Sequence, residues 1–373
     1  MACSASDALS ACDGGLTLMF YREAGVFKTS YAADMAMLPM PNTRWAVVGL
    51  GIVFLGIVPV FADEYNLSVL NLILIAVVGA VGLNILVGYT DQVSIGQGAF
   101  MSVGAYTAAH LITQLHAPFW IAIPGGGLMA AVIGTIVGIP SLRIKGLYLA
   151  IATLAAQLII EWTINHVPWV SGGTQSTIQV GPPAVFGTPL THGWQMYLFL
   201  MFFVIVAMIG AQNLIRSRIG RAFIAIRDQD IAAEIIGINI FHYKLWAFAI
   251  SSFYAGVTGV LYTYYLGIAN YEQFQLDVSI NFLAMVIIGG LGSPLGPVFG
   301  AIFVTLLPIV TRRVLNSVGG MFFNASDLSA VVPSLRLAIF GALIIFFLVV
   351  EPEGLNRLWR NIRNYFRMWP FSY

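Results

Sequence analysis

From Trp45 to Val350 the chain is a series of apolar runs, each about as long as a lipid bilayer is thick. A helix needs about 20 apolar residues to cross the hydrocarbon. Inside lipid, its backbone groups must be satisfied by the helix itself. The runs are Trp45–Phe61, Leu67–Val87, Val93–Leu115, Trp120–Leu142, Gly146–Ile160, Gln195–Ala211, Leu245–Leu266, Val278–Val310 and Ser334–Val350. Gly146–Ile160 can extend past Glu161, and Val278–Val310 reads as two segments split near Gly289–Gly296. The pattern predicts an all-α, polytopic transmembrane bundle of about ten segments, the eighth and ninth short. Composition agrees. Only 9% of residues are charged, against about 25% in soluble domains, and mean hydropathy is +0.86. With a net charge of +1 the chain has no overall charge to draw nucleic acid.

Three regions follow. Residues 1–43 carry scattered charges and no long apolar stretch behind a basic start, which reads as a cytosolic extension rather than a cleaved signal peptide. Cys3 and Cys12 lie there and offer neither a disulfide framework nor metal-ligand spacing. Residues 44–351 form the membrane domain, and 352–373 a basic tail. Lys and Arg favour the cytoplasmic side. Arg216, Arg218, Arg221, Arg227 and Lys244 lie in one polar loop, Arg143 and Lys145 in another, and Arg357, Arg360, Arg363 and Arg367 in the tail. About ten crossings put all of these inside, with both termini cytoplasmic. Arg312 and Arg313 then fall outside, against the rule. The opposite side carries one long loop, Val167–Gly193, rich in Gly, Pro and Thr, expected to be non-helical and to meet an extracytoplasmic partner. The tail arginines share one broad helical face beside Leu358, Trp359, Ile362, Phe366 and Trp369, a pattern suited to the headgroup layer of the membrane.

No catalytic constellation is present: no G-x-S-x-G, no H-E-x-x-H and no Walker A loop. Carboxylates are scarce within the segments, whereas an ion-driven secondary transporter needs titratable groups there. Two Gly-rich interruptions stand out, Gly88–Gly98 and Gly289–Gly300. Broken helices in transporters expose backbone groups that can line a polar path, and glycines equally permit close packing. The candidate path residues are Gln92, Ser94 and Gln97, with Gly289, Gly290, Gly292 and Ser293.

The polar loop reads Ser217-Arg-Ile-Gly-Arg-Ala-Phe-Ile-Ala-Ile-Arg-Asp-Gln-Asp-Ile-Ala-Ala-Glu-Ile-Ile-Gly237. Asp228 or Asp230 can N-cap a short helix, and Gly237 can end it. Ala232-Ala-Glu-Ile-Ile-Gly237 resembles the E-A-A-x-x-x-G coupling motif of ABC importer permeases. The residues before it, together with Gly82–Phe100, Gly104-Ala-Tyr-Thr-Ala, Lys145–Leu154, Gly172-Gly-Thr174 and Gly289–Pro297, are similar to branched-chain amino-acid permeases of the LivM type. The likeness runs from about Asn71 to Glu351, and the N-terminal extension is like that of the longer, Nat neutral amino-acid members. Asp91-Gln92 stands where many relatives have small residues, and Gln97 where many carry His.

The resemblance implies an importer of branched-chain or other neutral amino acids in the bacterial inner membrane, with a urea or short-chain amide importer as the alternative. It implies no enzymatic activity and no directly bound cofactor. ATP and Mg would be used by two cytosolic ABC ATPase subunits, beside a LivH-type second permease and a periplasmic binding protein. Arg221, Arg227, Asp228, Ala233, Glu234 and Gly237 would form the loop that meets an ATPase subunit.

Overall fold

The computed structural model of the chain describes residues 53–319, apart from 143–145, 173–176, 186–187 and 191, together with 354–367 and isolated positions at 49, 51 and between 338 and 349. The N-terminal extension, nearly all of the expected last segment, Arg143, Lys145 and Trp369 lie outside the described residues. The described residues between 63 and 362 form one compact unit, and those of 53–62 and 363–367 belong to another. In the second unit Val53–Ile57 is a π-helical turn followed by the α-turn Val58–Phe61.

The main unit is a helical bundle. Its helices are α1 (Glu64–Thr90), α2 (Gln97–Leu115), α3 (Phe119–Ser141), α4 (Leu147–His166) and α5 (Gly193–Arg216), followed by α6 (Arg218–Asp228) and α7 (Asp230–Ile235). Then come α8 (Ile240–Leu266), α9 (Leu276–Gly289), α10 (Gly296–Gly319) and α11 (Leu355–Arg367). Six of these are long and apolar enough to cross a membrane: α1, α3, α4, α5, α8 and α10. Leu128, Ile136, Ile159 and Phe202 on their outer faces are exposed, as lipid-facing side chains must be.

Several boundaries move from their sequence-based positions. The third segment was expected from Val93, but helix begins only at Gln97. The fifth runs on through Glu161 to His166. Of the two segments expected to be short, only α9 is, with 14 residues; α10 has 24. At 1.5 Å per residue α9 is about 21 Å long, less than the ~30 Å hydrocarbon thickness. The Val167–Gly193 loop is not wholly irregular. Pro168–Ser171 makes one helical turn, and β1 (Thr177–Gln179) pairs antiparallel with β4 (Ile268–Asn270). β2 (Ala184–Val185) pairs antiparallel with β3 (Thr188–Pro189). The loop is thereby docked on the end of α8, with Ile178 and Val180 buried.

α8 is the central helix, packed on α1, α2 and α3. Small residues make this possible, since helices in lipid associate by close van der Waals contact. At the α2–α3–α8 crossing Gly104, Gly126 and Gly256 bring three backbones together. A Cβ on Gly256 would meet the Ala130 methyl at 2.5 Å and the Gly126 carbonyl oxygen at 2.8 Å. Gly256→Leu is therefore expected to force α3 and α8 apart, an overpacking cost of about 1–3 kcal/mol or more. Thermal unfolding in detergent should show a lower midpoint. An unchanged midpoint would mean that the crossing is loose.

The two ends of the bundle are distinct. One gathers the end of α1, the α6–α7 loop, the α9–α10 turn and Gly354, tied by hydrogen bonds and close contacts. The other gathers the β1–β4 pair and the one-turn helix, where His110 Nε2 meets Val170 O at 2.7 Å.

Candidate coupling and translocation site

The polar loop folds as two helices. Ser217 caps α6, its Oγ accepting from Gly220 N at 3.3 Å. Ala222, Phe223 and Ile226 bury the inner face of α6. Gln229, with φ −161° and ψ 99°, breaks the helix, and α7 starts at Asp230. Asp228 thus ends α6 and Asp230 is the first residue of α7; the cap position between them is held by Gln229, with no side-chain hydrogen bond. Gly237 closes α7 as the spacing predicts, with φ +89°. Its N–H donates to Glu234 O at 3.0 Å, and Ile238 N–H to Ala233 O at 3.0 Å. Such left-handed caps suit glycine. Ala233 is buried and pins α7 to the bundle, while Glu234 is exposed beside Ile231, Ile235 and Ile236, exposed at 67%, 80% and 73%.

Arg227 joins this loop to the bundle. Its Nη2 lies 2.9 Å from Asp228 Oδ1, and its Nη1 donates to Gly88 O at 3.2 Å. Gly88 is in the last turn of α1, where carbonyls lack a helical donor. One turn earlier, Asn84 grips the α9–α10 turn: Oδ1 accepts from Gly292 N at 3.0 Å and Nδ2 donates to Ser293 O at 2.9 Å. Ser293 Oγ donates to Gly290 O and accepts from Gly296 N, both at 2.9 Å. The turn needs glycine. Gly290 and Gly292 have φ of +114° and +68°, and the Gly292 backbone fills the space a Cβ on Gly88 would take. Gly289, Gly290, Gly292 and Ser293 are thus brought together with Arg227. Arg221 lies on the exposed side of α6.

Gln92, Ser94 and Gln97 belong to a separate cluster. Asp91, at φ 53°, ends α1, and residues 92–96 run back into the bundle without helix. Gln97 Nε2 donates to Gly79 O at 3.1 Å. Gly79 lies eleven residues before Thr90, or about 16 Å along the helix, so α2 begins deep inside. All three polar residues are buried. Gln92 Nε2 donates to Thr90 Oγ1 at 2.8 Å, and Ser94 Oγ accepts from Gly96 N at 3.3 Å.

The free N–H groups at the buried start of α2 are satisfied by residues that sequence reasoning missed. Gly98 N–H donates to Ser279 Oγ at 2.8 Å, and Ala99 N–H to Gln157 Oε1 at 2.6 Å. Ser279 Oγ in turn donates to Gln157 Oε1 at 3.1 Å, and Gln157 Nε2 donates to Phe274 O at 2.8 Å. Thr153 Oγ1 takes the N–H of Ile95 at 3.0 Å. Asn84 and Gln157 share one sequence signal, an amide side chain alone in an apolar run.

Residues 65–348 match the family model for the permease component of the branched-chain amino acid transport system. The chain is 29% identical over 320 residues to the LivM high-affinity branched-chain amino acid permease of Escherichia coli, covering 80% of this chain and 71% of that one. It is 28% identical to the Salmonella typhimurium LivM over the same shares. It is also 24% identical to the autoinducer 2 import permease LsrC of Salmonella choleraesuis, over 72% of this chain and 78% of that one. No solved structure matches the chain. With its apolar bundle, its two broken segments and a match across most of its length, this integral membrane protein belongs to the branched-chain amino acid transport permease family.

Proposed function

We propose that this chain is one permease subunit of an ATP-driven importer of neutral, chiefly branched-chain, amino acids in the bacterial inner membrane. In this reading a LivH-type permease pairs with it, two cytosolic ATPase subunits supply the energy and a periplasmic binding protein delivers substrate to the Val167–Gly193 face. Both termini lie in the cytoplasm, and the basic tail rests on the headgroups.

The observation that carries the reading is the link from α7 to the breaks. An exposed isoleucine face on α7 continues through α6 to Arg227, which holds the end of α1 against the α9–α10 turn. Movement of an ATPase subunit against α7 would pull on both. The translocation path then opens where helices are already broken. Gln92, Ser94 and Gln97 set one break, and Gly289, Gly290, Gly292 and Ser293 the other. The buried amides back the wall of the path, so that its rearrangement does not strand backbone groups in lipid.

Two measurements test this. Purified from its own cell, the chain should carry a second permease and ATPase subunits, and vesicles holding the complex should take up leucine only with ATP and the binding protein. Uptake of urea instead would support the alternative substrate class. Arg227→Gln keeps the side-chain bulk and loses a charge-assisted hydrogen bond, worth about 1.5–3 kcal/mol when buried and less at this half-exposed site. Leucine uptake per ATP hydrolysed should fall about threefold or more with subunits still bound. An unchanged ratio would remove Arg227 from the coupling route.

A further inference from the structure

Arg312 and Arg313 break the charge pattern of the sequence, and the structure shows where they go. Both line a cleft of about 980 Å³ formed by α1, α9 and α10, as does Asp277 in the first turn of α9. Asp277 lies twelve residues before Gly289 and Arg312 sixteen after Gly296. On the two antiparallel helices that is about 18 Å and 24 Å from the shared turn. The two charges therefore sit at similar depth, near the end of the bundle away from α7. Arg313 already has a partner within the chain, and Arg312 is the second cation of the cleft.

The rest of the cleft fits a small amphipathic solute. Phe282 and Met285 supply apolar wall, and Asn281 adds a polar group. Gln273, also in the lining, has a buried carbonyl oxygen with no hydrogen-bond partner. Ligand pockets typically span about 300–1,000 Å³. Ionisable groups at membrane depth are costly and sit where function requires them. A zwitterion leaving water loses the hydration of both poles, and wall charges of both signs offset that loss. Urea and short amides have no such poles.

We propose that this cleft is the chain's share of the route for an aliphatic, zwitterionic amino acid, with Asp277 meeting the ammonium group, Arg312 the carboxylate, and Phe282 and Met285 the side chain. The proposal rests on the amino-acid importer reading above and assigns residues to it. Binding is weak by design, since a conducting site must also release.

The test uses the whole complex in vesicles, with radiolabelled leucine as the probe. If the parent takes up no amino acid, the importer reading fails. If the parent takes up leucine, the cleft is tested by Asp277→Asn and Arg312→Gln. Each should cut uptake about tenfold, the loss expected for one charge-assisted contact. Parental uptake in both, with subunits retained, overturns the proposal. Should either variant fail to assemble, Asn281→Cys decides in a chain with Cys3 and Cys12 changed to Ser. A small cationic thiosulfonate should label it from the binding-protein side, more slowly as leucine-loaded binding protein is added during turnover. A labelling rate that ignores loaded binding protein overturns the proposal as well.

Discussion

Gln157→Leu should leave the bundle unable to hold its native fold at ordinary temperatures. The side chain is fully buried and makes three hydrogen bonds to three separate elements: the start of α2, Ser279 on α9 and the carbonyl of Phe274. Leucine matches its size, so no cavity forms and the loss is one of polar partners. Each buried group left unpaired costs about 1–3 kcal/mol. Two are backbone groups that no water can reach in a lipid-enclosed bundle, so those two alone cost about 2–6 kcal/mol, comparable to the whole stability of many domains. Gln157→Glu separates polarity from shape, because a carboxylate can still accept from Ala99 and Ser279 but cannot donate to Phe274. The expected order of folded yield in detergent is parent, then Glu, then Leu, with the Leu variant lost to degradation. If Leu matched the parent in yield and unfolding temperature, the cluster would not be holding α2 in place.

That cluster marks the limit of what the sequence discloses. The bundle is legible because apolar runs of membrane length leave a chain few other folds, and Gly237 is legible because a glycine after a mixed helix is a strong stop signal. The start of α2 is not. Val93-Ser-Ile is as apolar as the helix that follows, and only the N–H groups of Gly98 and Ala99, captured from α9 and α4, define where helix begins. The cap of α7 falls between the two expected residues for a related reason. Asp228 and Asp230 are both competent caps, but α6, held by the burial of Ala222, Phe223 and Ile226, runs on to Asp228 and leaves the cap position to Gln229. Gln92 and Gln97 look like path-lining groups because polar side chains in apolar runs demand partners. The sequence cannot say that those partners are Thr90 and the carbonyl of Gly79. Arg312 and Arg313 teach the converse: two arginines at odds with the expected charge placement both line the cleft.

Ile235→Asp should strip the ATPase subunits from the complex while leaving this chain inserted and folded. Ile231 and Ile235 stand out on a six-residue helix, and Ile236 at its C-cap, at the end of the bundle that carries the α6–α7 loop, and each is more than 65% exposed. The chain gains nothing from them as they stand. Burying an isoleucine in a partner groove contributes about 1.5–3 kcal/mol, and a charge placed in that groove adds a desolvation cost. Together these reach about 3–5 kcal/mol, a loss of affinity of roughly a hundredfold to a few thousandfold. The fold is spared because α7 is anchored by Ala233, on the opposite side of the helix. Gly237→Ala is the milder companion. No atom lies within 4 Å of where its Cβ would go, so the cost is only that of a left-handed residue, about 1–2 kcal/mol, felt as fraying of α7. Tagged-chain pull-downs would then show ATPase subunits retained by the parent, reduced by Gly237→Ala and absent in Ile235→Asp. Transport should follow the same order. Full retention by Ile235→Asp would place the energy-coupling contact elsewhere on the cytosolic face, and the exposed isoleucines would need another partner.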